Sequence, residues 1–278
     1  MMRKFPGLYP VLALILFQQA AHARAIGEER FTLSAGGSIS KFNSDLKVNG
    51  KDRGNNAEVD VEDDLGQDED VDFYALKAIW RFADRHRLSL EYSPFSRDSR
   101  TQLENEFEFE DTVISSGSAI STDSDFAIYD VNYIYSFYKS SDMEIGVSGG
   151  IYWIGLDFDV QASGFIEDEN GDIAFDDNYS NSVSTDAPLP LLGFYFDYQL
   201  SQRWELHSGA RYFSAEIDDY DGYILSLLVG VEYSVLDNVS LGLSVSRFEL
   251  DVKANEDSFN GEFGWEYSGA QLYLKALF

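Results

Sequence analysis

Residues 129–137 read Tyr129-Asp130-Val131-Asn132-Tyr133-Ile134-Tyr135-Ser136-Phe137. Tyr, Val and Phe occupy every odd position, while Asp130, Asn132 and Ser136 share the other parity. Successive side chains of a strand point to opposite faces, whereas an apolar helix face repeats every 3.6 residues. This stretch is therefore a strand with one apolar and one polar face. Lys139 to Ser141 follows as a very short turn, and a Gly-rich segment, Asp142 to Val160, comes next.

The same rhythm recurs along the chain. Tyr74, Leu76, Ala78, Trp80 and Phe82 alternate with Lys77 and Arg81, and Leu88, Leu90 and Tyr92 with Arg87, Ser89 and Glu91. Further alternating runs start at Leu192, Trp204, Leu225, Val239 and Ala270. With the weaker run Arg30 to Asn43, the reading gives ten strands, eight being the alternative count. Connections sort by length. Asp84-Arg85, Lys139 to Ser141, Ser201 to Arg203 and Val235 to Asn238 are short. Ser44 to Asp70, Arg97 to Phe126 and Gln161 to Ala187 are long, and Glu216 to Asp221 and Asp251 to Phe263 are intermediate. Short turns at one end and long loops at the other predict a single all-β antiparallel transmembrane barrel. A soluble sandwich would not sort its connections this way.

The N-terminus predicts export. Arg3 and Lys4 precede an apolar run, Leu8 to Phe17, and small-residue cleavage patterns end at Ala23 and Ala25. The run is too short to span a bilayer and has the layout of a cleaved signal peptide. Residues 1–25 are thus assigned to the signal and 26–278 to the barrel.

Charge and composition exclude other classes. The chain of 278 residues has 20 Lys plus Arg against 49 Asp plus Glu, a net charge of −29. Such a chain has no basic face for nucleic acid. Without cysteine it has no disulfide framework, thiolate metal site or thiol nucleophile. The five longer connections carry net charges of −7, −6, −7, −4 and −3 in chain order, so most of the excess lies there. An acidic crown of this kind must be solvated or neutralised by cations, divalent ions among them.

Aromatic residues beside the short turns (Trp80, Phe82, Phe137, Tyr138, Tyr198, Trp204, Tyr233) predict one interfacial girdle. Tyr92, Tyr129, Phe194 and Tyr212 predict the other. The chain ends on Phe278, behind Leu272 and Leu274 on the same parity. On these features the chain resembles the small bacterial outer-membrane β-barrels, OmpA-like or OmpW-like in general character, without a peptidoglycan-binding domain. The resemblance implies a Gram-negative outer-membrane location reached through the periplasm, and contact with membrane lipid and lipopolysaccharide. It also implies that Leu272, Leu274 and Phe278 serve as the signal read by the barrel-assembly machinery.

The inward parity is expected to be polar. It carries Lys77, Arg81, Arg87, Arg211 and Lys275 against Glu91, Asp130, Asp197, Glu205 and Glu232. Buried charges persist only when paired, so a cross-strand ion-pair network is expected. Lys77 and Arg87 are expected to meet Glu91 or Asp130, and Arg211 to meet Glu205, Asp197 or Glu232. Glu167 to Asp177 fails as an EF-hand, since Ile166 would occupy the first ligand position. Loose calcium binding by Asp168, Asp172, Asp176 and Asp177 remains as an expectation, and no cofactor is called for. Beyond the signal segment only His86 and His207 occur, both just after short turns. The reading is a non-enzymatic structural or surface-interaction barrel. A narrow solute or ion channel is the alternative, and an outer-membrane hydrolase comes third.

Overall fold

The computed structural model describes residues 29–49, 56–109, 112–167, 173–217, 220–255 and 260–278. Residues 1–25, assigned above to a signal, lie outside them. All regular structure is strand: β1 Phe31–Asn49, β2 Asn56–Asp60, β3 Asp70–Ala83, β4 His86–Gln102, β5 Phe107–Phe109, β6 Thr112–Ile114, β7 Ala119–Lys139, β8 Met143–Glu167, β9 Ile173–Gln199, β10 Trp204–Ile217, β11 Tyr220–Leu236, β12 Val239–Asn255 and β13 Asn260–Leu277. Ten of these form a closed antiparallel barrel in the order β1-β3-β4-β7-β8-β9-β10-β11-β12-β13. Closure comes from β13 pairing with β1, in a register running from Thr32 opposite Leu277 to Val48 opposite Gly261. The small strands sit above the barrel wall: β2 pairs with β1, and the β5–β6 hairpin attaches to β8.

The turns at one end are as short as the sequence predicts, and the other end differs. Much of the predicted long loops is strand. β4 continues to Gln102, β7 begins at Ala119, and β8 and β9 together reach from Met143 to Glu167 and from Ile173 to Gln199. Alternation continues there with inverted polarity, which is why a search for apolar residues on one constant parity stops early. On β7, Tyr129, Val131, Tyr133, Tyr135 and Phe137 point outward, while Asp130, Asn132 and Ser136 point inward. Farther from the short turns the same inward parity carries Phe126 and Ile128, and the outward parity carries Asp123 and Asp125.

The barrel thus has two storeys. In the lower, an outward apolar band is rimmed at the short turns by exposed Trp80, Phe82, Phe137, Tyr138 and Trp204. Tyr129, Phe194 and Tyr212 are exposed along its other border. A continuous apolar belt of this size on a closed barrel needs a hydrocarbon surrounding, not water. In the upper storey the wall is polar outside and apolar inside, as in a water-soluble barrel.

Glycines on the inner face make room for rings. Gly242 lies opposite Tyr273 and Gly230 opposite His207, and a Cβ at either would fall 2.1 or 2.3 Å from the facing ring. Close approach to the neighbouring ring, not turn formation, requires glycine at these two places.

Candidate functional site

The lumen is the candidate site, and it is layered along the barrel axis. The layer nearest the short turns is charged. Arg81 makes a two-pronged contact with Glu144, Nη1 to Oε1 at 3.0 Å and Nη2 to Oε2 at 2.9 Å. Glu144 is fully buried, accepts a hydrogen bond from Ser136 Oγ, and lies 3.8 Å from Arg87. Arg87 donates to Asp197 at 3.0 Å, Arg211 to Asp130 at 2.6 Å, Lys275 to Glu232 at 2.8 Å, and Lys77 lies 3.0 Å from Glu91. Tyr273 also donates to Glu232, at 2.8 Å.

Several partners differ from those the sequence suggests. Arg87 meets Asp197 and Glu144 instead of Glu91 or Asp130, and Arg211 meets Asp130. These contacts cross the lumen between strands far apart in sequence, where strand order says little about which side chains meet. Among the described residues Glu205 has no hydrogen-bond or ion-pair partner: the five bases are engaged elsewhere, and its register partner on β11 is another carboxylate, Glu232. Glu144 is the member the sequence reading lacks. It falls on the Gly-rich segment, opposite Lys139 and just past a β-bulge in β7 between Ser136 and Tyr138. The alternation Glu144, Gly146, Ser148, Gly150 is the signal that locates it on the inner face.

A cavity of about 200 Å³ lies within the charged layer and reaches up to the rings above it. Lys77, Glu91, Asp130, Tyr195, His207 and Arg211 contribute to its wall, and Phe42, Phe95, Tyr152 and Tyr267 border it as well. Asp130 Oδ1 and His207 Nδ1 have no protein partner, and a polar space of this size accommodates water.

The next layer is aromatic, which corrects the expectation of a polar interior throughout. Phe95 and Phe126 stack at 4.5 Å with an interplanar angle of 11°, and Trp265 stacks on Phe126 at 5.4 Å. Phe42 packs on Phe95 at 5.0 Å and on Tyr267 at 5.2 Å, while Phe248 joins Tyr152 at 5.1 Å. Leu191, Ile224 and Leu250 from the opposite wall complete the plug. Rings at these spacings gain edge and stacking energy beyond the area they bury. Arg97 lies over the rings of Phe42 and Phe126, at 5.5 and 5.9 Å from their centroids.

A cap enters the upper end of the barrel. Residues 61–67 turn inward through Gly66, whose φ of 70° suits glycine. Glu62 accepts hydrogen bonds from Ser44 N at 2.8 Å and Ser44 Oγ at 2.9 Å, and pairs with Arg97. Gln67 donates to Ser124 at 2.7 Å and to Thr122 at 3.2 Å. Leu65 packs into a second apolar cluster with Leu103, Ile114, Ile120 and Val160. Arg97 was legible: it continues the inward parity of Arg87 and Glu91 by three further steps.

Other predicted positions fall elsewhere. Asp168 and Asp172 lie outside the described residues, as do the side chains of Asp176 and Asp177. Among the described residues no group of three or more metal-ligating side chains could hold a metal ion. His86 faces outward at the short-turn rim, with Nδ1 2.6 Å from the Tyr133 hydroxyl, and His207 faces the lumen, 3.3 Å from that of Tyr273. Leu272, Leu274 and Phe278 are exposed on the outer face of the closing strand, and Phe278 N donates to Phe31 O at 2.8 Å.

The architecture is that of a bacterial outer-membrane β-barrel. No protein-family model matches the chain, and no curated protein matches it. Among solved structures, the outer-membrane protease OmpT of Escherichia coli superposes with a TM-score of 0.59 at 12% identity, over 91% of this chain and 98% of that one. At that identity the likeness shows the fold alone. The toluene transporter TodX of Pseudomonas putida (TM-score 0.34, 8% identity, 90% of each chain) and the Neisserial surface protein NspA (0.30, 11%, 89% and 97%) overlap more loosely.

Proposed function

We propose that this chain is a Gram-negative outer-membrane protein that neither catalyses nor conducts, and that its barrel carries a rigid acidic platform on the cell surface in a structural or surface-interaction role. The short turns face the periplasm and the upper storey faces outward. The observation that carries the reading is how the lumen is obstructed: an ion-paired layer around a cavity, an aromatic plug and an inserted cap follow one another along a single axis. The general likeness to OmpA-like and OmpW-like barrels belongs to this reading. So do lipid and lipopolysaccharide as its surroundings, the assembly machinery acting on Phe278, and divalent cations as counterions of the crown.

The polar cavity of the lower storey favours one alternative, a narrow channel whose aromatic plug moves aside. Planar-bilayer recording on the purified full chain separates the two. The platform reading expects no conductance steps above the bare bilayer, and sustained steps make the channel the better reading.

A further inference from the structure

The outer face of the short-turn rim carries polar groups at a place where the rest of the belt is apolar. His86 stands on the outward parity of β4, with Phe82 at 5.7 Å and Tyr135 at 5.2 Å between ring centroids. Its Nδ1 is held by the Tyr133 hydroxyl at 2.6 Å, which leaves Nε2 as the free ring nitrogen. The preceding residue, Arg85, is exposed, and its guanidinium uses Nη1 on the Phe137 carbonyl at 3.3 Å. That bond anchors a permanent positive charge on β7 two residues beyond Tyr135, whose ring packs on His86. The nearby carboxylate is already neutralised, since Asp84 receives Lys139 Nζ at 2.6 Å.

We propose that Arg85, His86 and Tyr133 form a binding site for the phosphate of an anionic phospholipid headgroup, with the lipid's chains lying against Phe82 and the apolar wall. The inference rests on the membrane reading above and adds a ligand to it. Charge complementarity argues for the occupant: the guanidinium and the one donor that the His86–Tyr133 hydrogen bond leaves over, Nε2–H when the phenol donates to Nδ1, suit a phosphate, and the aromatic belt sets them at headgroup depth. A histidine and a phenol facing pure hydrocarbon would lack partners for their remaining polar valences.

The test is lipid retention by the purified full chain, inserted into vesicles of phosphatidylcholine mixed with phosphatidylglycerol and read by native mass spectrometry. Wild type is expected to keep phosphatidylglycerol about five-fold over its share of the bilayer, the factor matching roughly 1 kcal/mol per interfacial arginine. Arg85→Gln should abolish the preference and Tyr133→Phe should halve it. Arg203→Gln, at a different short turn, should leave it intact. An equal loss in Arg85→Gln and Arg203→Gln would show diffuse rim charge instead of a site and overturn the proposal. Displacement by excess inorganic phosphate would overturn the lipid as occupant. Should Arg85→Gln not fold, the wild-type preference must still fall as salt screens the contact, and a salt-independent preference counts against the site. Insertion without any preference overturns the headgroup site alone, whereas a chain that enters neither pure nor mixed vesicles removes the membrane reading too.

Discussion

The lower and upper storeys are made by the same strands in the same register, yet they are built for opposite solvents. On β7, only Tyr129 and Asp130 lie between inward Ile128 and outward Val131, and across that step the apolar face changes sides. Below it, Asp130 and Asn132 face a lumen of ion pairs while tyrosines face out. Above it, Phe126 enters a stacked aromatic plug while Asp123 and Asp125 face water. Backbone pairing is indifferent to this reversal, because a ladder satisfies its hydrogen bonds whatever the side chains are. Side-chain parity alone decides which solvent each storey tolerates.

The sharpest way to break the comparison is at Glu144. Removing it by Glu144→Ala strands the Arg81 guanidinium, which is almost fully buried, together with one contact of Arg87. The expected loss is about 5 kcal/mol, the upper end for one partner of a buried pair, read as a lower urea midpoint of the folded barrel in vesicles. A loss like that of a surface pair would mean that water wets the lower lumen freely.

In the upper storey, Trp265→Ala should cost about 4 kcal/mol through the lost ring and the cavity left behind. It should also introduce conductance steps if the plug is what seals the axis. A stable, silent variant would shift the seal to the cap at Glu62 and Arg97. Lys77→Met sharpens the contrast within the charged layer. Its pair with Glu91 is about one-third exposed on both sides, so the same assay should show less than about 1 kcal/mol.

The smallest effect has the opposite sign. Asp98, Asp123 and Asp159 stand opposite one another across β4, β7 and β8 on the outer wall, and Asp125 opposes Asp157 in the next row. Like charges in register repel. Asp123→Asn should therefore stabilise the fold by about 0.5 kcal/mol at low salt, with the gain fading as salt screens the row. A gain that persists at high salt would point away from electrostatics.

What was legible in the sequence follows from the same reversal. The ten strands, the short turns and the inward charges of Lys77, Arg87 and Arg211 could be read because period two is local. The aromatic plug was hidden because Phe42, Phe126 and Phe248 sit on the parity that lower down carries polar residues. A reader following one constant apolar face takes Phe126 for a loop residue, stops short of Phe248, and has no reason to turn Phe42 of the first strand inward. Which carboxylate faces Arg211 was also beyond reach, since Asp130 lies across the lumen on a strand 81 positions earlier. Glu205 looked like a pairing partner by parity, and only the register opposite Glu232 shows why it is left over.

The bulges at the short-turn end have a consequence for how such a gene can change length. Each of the three, between Arg81 and Ala83, between Ser136 and Tyr138, and between Ser234 and Leu236, adds one unpaired residue to its strand. The extra residues, Phe82, Phe137 and Val235, all end on the outside. Losing a single codon in mid-strand would exchange the two faces of the rest of that strand, since a one-residue slip inverts every side chain beyond it. Codons removed in pairs restore the phase, and so does a single loss absorbed by one of these bulges. Length variants of this protein are accordingly expected to cluster at its short-turn rim or to come in twos, a signature that deep mutational libraries of deletions can read directly.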